Sequence, residues 1–183
     1  MKQTQSERIR WMAVAGLVAG LYTALTVALA PLSFGTIQCR VAESLTVLAA
    51  YSPACAVGLT VGCALSNLIG LSMGANVAGA LDILLGTLAT GLAAWLSYLL
   101  RRVRVGGLPV LSTLPPVITN ALIVGTELTF ATTAFGWQTW GMWVGSVGLG
   151  QLVACVGGGL LMAVAFKKSG FDTRLEQNNY TFR

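Results

Sequence analysis

The sequence has no histidine and very little charge, with 9% of its 183 residues being Asp, Glu, Lys or Arg. The missing histidine removes the commonest general base and metal ligand. No GxSxG segment or pair of catalytic aspartates takes its place, so an enzyme has little to build from and the expectation is a non-enzyme. The four cysteines, Cys39, Cys55, Cys63 and Cys155, lack CxxC spacing. A structural zinc site would want such pairs or histidines, so they read as small packing residues and no metal is expected. There is no phosphate-cradling Walker A segment, and the loops are too short for a nucleotide-binding domain, so the chain does not use ATP by itself. No cleavable signal is expected either, because the first apolar stretch is long enough to span and runs straight into a second one.

What the chain does have is 55% hydrophobic residues and 22 glycines, the composition of an all-α integral membrane protein. At about 20 residues per span, there is room for roughly six spans and no separate soluble domain. The hydrophobic pattern places these at 11–31, 41–52, 53–72, 78–100, 113–134 and 141–166, as a single membrane domain over 1–183 with a short polar tail from 167 to 183. The second is too short to cross alone. It is lengthened by the preceding Ile37–Arg40 stretch, tilted, or partly re-entrant, with Ser52-Pro53 marking the turn into the third.

Basic residues set the orientation. Lys2, Arg8 and Arg10 precede the first span, Arg101, Arg102 and Arg104 follow the fourth, and Lys167 and Lys168 follow the sixth. With six spans these clusters share one side, which the lysine and arginine excess marks as cytoplasmic, with both termini there. The net charge of +5 is then a topology signal, and no nucleic-acid partner is expected. The expected location is the prokaryotic plasma membrane, crossed several times.

That topology gives polar residues a depth. At about 1.5 Å per residue from the outer helix ends, Asp82 lies roughly 6 Å in, Asn67 about 8 Å, Glu127 about 10 Å and Gln151 about 15 Å, while Asn120 lies about 20 Å down. Arg40 and Glu43 begin the second span. An ionisable group in hydrocarbon costs several kcal/mol, roughly 2.5–3.5 on insertion scales, and reads as a functional site. The bland readings are an Arg40–Glu43 ion pair three residues apart, an Asp82 bonded to neighbours such as Thr90 or left protonated, and interhelical hydrogen bonds for Asn67, Asn120 and Gln151. Phe34 lies in the first outer loop, and Trp137, Trp140 and Trp143 surround the last. They form either an interfacial belt or a lid that stacks on a flat heterocycle. Carboxylates read paired N–H donors, such as a guanine-like edge presents. On the first span Ala15/Ala19 and Ala24/Ala28, overlapping Gly16/Gly20, make a small-residue surface that either packs internally or receives another helix. Gly58/Gly62 could serve internal packing.

The segments Ser33–Thr46 (SFGTIQCRVAESLT), Asp82–Thr90 (DILLGTLAT), Pro115–Leu128 (PPVITNALIVGTEL) and Val147–Leu152 (VGLGQL) together resemble the QueT family. These are substrate-binding S components of energy-coupling factor (ECF) importers, associated with queuosine-precursor uptake. The resemblance covers about residues 11–168. It implies a six-helix S-component bundle with an extracellular-facing site, and a first-helix motif, matched by Ala15 and Ala19, that docks on a coupling subunit. It also implies two partner ATPase subunits that use the ATP, this chain holding no cofactor. Cys39 stands where the family pattern has an aromatic residue, and Gln151 where it has a glutamate.

The resemblance and the residues together give an expectation: capture of a 7-deazaguanine base, preQ1 or preQ0, by Arg40, Glu43, Asn67, Asp82, Asn120, Glu127 and Gln151, with Phe34, Trp137 and Trp140 as aromatic cover. A cationic preQ1 would also offset the formal −2 left by three carboxylates against Arg40. The alternatives are an S component for another vitamin or purine-like compound, or a proton-coupled secondary transporter, although no inverted repeat is visible.

Overall fold

A computed structural model describes residues 5–35, 38–132 and 135–177. Among these it is all-helical, 85% helix with no strand. The α-helices are α1 (Gln5–Ala28), α2 (Ala30–Phe34), α3 (Pro53–Ser72), α4 (Leu81–Leu99), α5 (Leu114–Thr132), α6 (Trp137–Gln151), α7 (Gly159–Ser169) and α8 (Phe171–Gln177). A 3₁₀ helix spans Val41–Ala50, and a π-helical segment, Leu152–Gly158, joins α6 to α7. Among the described residues five helical stretches are long and apolar enough to cross a membrane: Gln5–Ala28, Pro53–Ser72, Leu81–Arg102, Val110–Thr132 and Trp137–Ser169.

The expected second span differs most. Val41–Ala50 is a 3₁₀ helix of ten residues, which at about 2.0 Å per residue covers roughly 20 Å. An α-helix of that length covers about 15 Å, and the hydrocarbon core is about 30 Å thick. Gln38–Arg40 does not extend it as helix, and Ile37 lies outside the described residues. Every residue from Ala42 to Ala50 is buried, because this helix occupies the middle of the bundle and touches α1, α3, α4, α7 and the π segment. Ser52 is extended and Pro53 opens α3, as the restriction on a residue before proline requires.

Other boundaries shift for local reasons. The first helix starts at Gln5 rather than 11 and stops at Ala28, and Pro31 sits in the first turn of the separate α2, where its missing N–H costs nothing. The last long helix starts at Trp137 rather than 141 and continues to Ser169. Gly170, at φ +67°, ends it in the left-handed conformation that glycine adopts without strain. The expected polar tail then turns back as α8, with Leu175 buried and Glu176 paired with Arg104. Residues 133 and 134 of the expected fifth span, Lys2 and residues 178–183 lie outside the described residues.

Neighbouring helices pack in the order α1–α3–α4–α5–α6. The α1–α3 contact settles how one set of small residues packs. Ala15 and Ala19 are buried, and they face Gly58 and Gly62 rather than the outside. A Cβ on Gly58 would stand 2.5 Å from the Ala15 carbonyl oxygen, and one on Gly62 would stand 2.8 Å from that of Ala19. The small residues of both helices are spent on letting two backbones meet. The outward face of α1 carries Gly16, Gly20, Ala24 and Ala28 instead, and a Cβ at Gly16 or Gly20 would meet nothing within 4 Å.

Gly62→Val should therefore destabilise the fold by about 1–3 kcal/mol through overpacking, read as a lower unfolding midpoint in detergent. Gly20→Val should shift that midpoint by less than about 0.5 kcal/mol equivalent. Equal effects at the two positions would contradict this packing.

Candidate functional site

The polar residues of five elements meet in the interior beside the 3₁₀ helix. Arg40 is the last residue before that helix and Asp82 lies in the first turn of α4. The two form an ion pair, with side chains 3% and 0% exposed. Arg40 thus pairs across the bundle with Asp82, and Glu43, three residues on, is held by others. The Arg40 Nε donates to the Ser33 carbonyl oxygen (3.3 Å), and the guanidinium carbon lies 5.3 Å from the Phe34 ring centroid. Asp82 Oδ2 also accepts from Asn76 Nδ2 (2.9 Å), and the Asp82 carbonyl accepts from Asn67 Nδ2 (2.6 Å). One buried cation so ties the chain around α2 to the α3–α4 connection and to α4. Gly86 makes this possible, since a Cβ there would collide with Asp82 Oδ1.

Glu43 is fully buried. Its Oε1 accepts hydrogen bonds from Tyr22 Oη of α1 (2.6 Å) and Thr90 Oγ1 of α4 (2.7 Å), and the Asn120 amide of α5 lies close enough to interact with the carboxylate. Asn120, placed deeper than the others by its position in the sequence, is brought to them, as its inclusion in the expected site requires. The reason is that Glu43 sits on a central helix and not at the outer rim. Cys63 Sγ lies between the two carboxylate groups, at 3.3 Å from Thr90 Oγ1, 3.6 Å from Arg40 Nη1 and 3.6 Å from Asn67 Nδ2.

Glu127 is 3% exposed, and neither carboxylate oxygen has a hydrogen-bond partner. It lies within electrostatic reach of Asp82 and Arg40, and it borders a groove of about 550 Å³ between α4 and α5. Gln151 is buried and accepts from Cys155 Sγ (3.1 Å), which in turn lies 3.5 Å from the Glu43 carbonyl oxygen. The extended Gln38–Arg40 segment crosses α6 at Gly150, where a Cβ would collide with the Gln38 carbonyl oxygen.

The aromatic residues behave differently. Phe34 is wholly buried with its ring against Gly70, so it supports Arg40 and is not a free stacking face. Trp137 is 76% exposed, and Trp140 donates its indole N–H to Thr126 Oγ1 (2.9 Å). They continue a surface ladder, Phe130–Phe135–Trp137–Trp140, with ring centroids 5.4–5.9 Å apart. The structure does not bring these tryptophans to the polar cluster.

Among the described residues, several buried atoms in and around this cluster have no hydrogen-bond partner: the acceptors Glu43 Oε2, Asn67 Oδ1, Asp82 Oδ1 and both Glu127 oxygens, and the donors Gln38 Nε2 and Asn120 Nδ2. Buried polar groups are ordinarily paired. Here unpaired ones are spread over four elements, and the set is rich in acceptors. Neither Glu43 nor Glu127 has a salt-bridge partner among the described residues. Among those residues no three His, Cys, Asp or Glu side chains are grouped as metal ligands.

The family profile described as QueT transporter matches residues 12–168. The chain belongs to the QueT transporter family. No curated protein and no solved structure matches it. Membership makes this a transporter, in keeping with its apolar helices. Within this QueT chain, Tyr22, Cys63 and Asn76 join the cluster without having been expected there. Tyr22 has one usable signal, a hydroxyl in the middle of an apolar helix. Asn76 reads as loop punctuation, and the cysteine reads as packing.

Removing one partner of the buried pair should be costly, so Arg40→Gln should lower stability by about 3–5 kcal/mol. Combining it with Asp82→Asn should recover more than half of that loss. The check is a double-mutant cycle by denaturant unfolding, and additive losses would show that the pair is not coupled.

Proposed function

We propose that this QueT transporter is the substrate-binding S component of an ECF-type importer for a 7-deazaguanine queuosine precursor, with preQ1 as the preferred ligand. In this reading the five long helices and the shorter Val41–Ala50 segment make the six-helix bundle, both termini are cytoplasmic, and the polar cluster receives its ligand from the extracellular side. A coupling subunit and two ATPases supply the energy.

The observation that carries the reading is the excess of unpaired buried acceptors over donors. A 7-deazaguanine offers the complement, with N1–H, an exocyclic amine and a pyrrole N–H against few acceptors. Glu127, with both oxygens unpaired, suits the adjacent N1–H and amine donors in a two-pronged bond. Glu43, oriented by Tyr22 and Thr90 with one oxygen left over, suits the aminomethyl cation of preQ1, while Asn120 and Gln38 offer donors to the ring carbonyl. Asp82 is already neutralised by Arg40, so the two remaining carboxylates favour a ligand that brings positive charge. The nitrile of preQ0 brings an acceptor instead.

For docking on the coupling subunit, the exposed Gly16, Gly20, Ala24 and Ala28 take the place assigned from sequence to Ala15 and Ala19. Close helix approach needs an open small-residue face.

Calorimetry on the purified chain tests the ligand. PreQ1 should bind more tightly than preQ0, and guanine and unrelated vitamins should bind weakly or not at all. Glu127→Gln should weaken both precursors at least about tenfold, that is by about 1.4 kcal/mol, whereas Glu43→Gln should weaken preQ1 more than preQ0. Folded protein that ignores deazaguanines but binds another vitamin would replace this ligand assignment. For docking, Gly20→Trp should abolish uptake by the assembled transporter and leave binding intact, and normal uptake would move the contact elsewhere.

A further inference from the structure

Two recesses lie side by side at the end of the bundle that carries Arg101, Arg102 and Arg104, away from the polar cluster. The first, of about 290 Å³, is walled by these three arginines with Ala50 and Glu176. The guanidinium groups of two are held in place. Arg101 donates to the Tyr98 carbonyl oxygen (2.9 Å) and lies 3.9 Å from the Tyr98 ring centroid. Arg104 lies 5.6 Å from that of Tyr51, donates to the Arg101 carbonyl oxygen (3.3 Å) and pairs with Glu176. Three guanidinium groups against one carboxylate leave the recess formally at +2. Like charges fixed this close are unfavourable until an anion shares them.

The second recess is an apolar groove of about 510 Å³ between α1 and α7, with Val14 and Leu17 on one side, Met162 and Phe166 on the other, and Leu45 and Leu48 of the 3₁₀ helix on its floor. Tyr51, at the end of the 3₁₀ helix, links the two recesses: its ring centroid lies 6.5 Å from that of Phe166 in the groove and 5.6 Å from the Arg104 guanidinium carbon of the recess. Leu175 lines the groove and Glu176 lines the recess; Leu48 lines the groove and Ala50 the recess. An apolar trough that ends beside a cationic recess has the polarity of one class of molecule, an amphiphile with an anionic head. In a membrane protein the abundant member of that class is a phospholipid, and basic pockets between membrane helices take such headgroups.

We propose that the groove and the arginine recess together hold one anionic diacyl phospholipid, its phosphate among Arg101, Arg102 and Arg104 and an acyl chain along α1 and α7. Bound there, it fastens α8 to the bundle and closes the seam between the first and last long helices. This site is independent of the transported ligand.

The test uses the full chain, delipidated in mild detergent, and follows thermal unfolding with phosphatidylglycerol, phosphatidylcholine or glycerol 3-phosphate added. Phosphatidylglycerol should raise the midpoint saturably, by roughly 5 °C at about a hundredfold excess over its Kd, and the other two should not. Arg101→Gln with Arg102→Gln should abolish this rise, and Ala13→Trp, at an α1 residue that also lines the groove and would narrow it, should reduce it. An equal rise with phosphatidylcholine would remove the headgroup from the proposal. An equal rise with glycerol 3-phosphate would reduce the site to a phosphate pocket and overturn the acyl seat. A rise that persists in both variants would put the lipid elsewhere. If the double arginine variant is itself unstable, native mass spectrometry decides. Phosphatidylglycerol retained by Ala13→Trp as fully as by the unaltered chain would overturn the proposal.

Discussion

A buried arginine needs a carboxylate, and in this protein that need organises the interior. Arg40 has lost water on every side and is compensated by Asp82, by the Ser33 carbonyl and by the face of Phe34. Taking two charges out of water costs several kcal/mol per ion unless geometry and further hydrogen bonds repay it. The repayment is visible in Asn76 and Asn67 gathering on Asp82, and in Gly86 giving up a side chain so that the carboxylate has room. Because Arg40 immediately precedes the 3₁₀ helix, the same pair fixes where that helix enters the bundle, and with it the position of Glu43.

The central helix is the second constraint. Its narrow winding lets ten residues reach further than an α-helix would, and nearly all of them are buried. Packing around so slim an element brings α1, α3, α4 and the last long helix toward one axis. That convergence is why hydroxyls from α1 and α4 reach one carboxylate, which an amide from α5 also approaches. The π segment opposite it widens the last long helix where Gly158 lies against Ser44, a local adjustment of the kind that π turns provide near functional sites.

Charge is then distributed unevenly. Arg40 satisfies Asp82 and leaves Glu43 and Glu127 without a basic partner, so the interior keeps acceptors to offer. At the far end the imbalance is reversed, with three arginines sharing one glutamate. The carboxylate-rich cluster and the arginine recess are thus of opposite sign.

Most of the helices were legible in the sequence, because long apolar runs between polar loops have few other solutions in a bilayer. So were the cluster's ionisable members, since Glu43, Asp82 and Glu127 stand out against hydrocarbon. The family was legible from four short segments. Pairing was not. Spacing offered Arg40 to Glu43, and only the fold gave it to Asp82, because Arg40 is extended and precedes helix 41–50, so the two do not share a helical face. Tyr22 and Cys63 are ordinary residues until α1 and α3 close on the centre. Ala15 and Ala19 carry the small-residue spacing, as do Gly16 and Gly20, and sequence cannot say which face turns inward. Composition and periodicity determined that this chain is a helical membrane protein with costly buried carboxylates. The tertiary structure decided which charges neutralise one another and which stay available, because that depends on rotation and depth of helices distant in sequence.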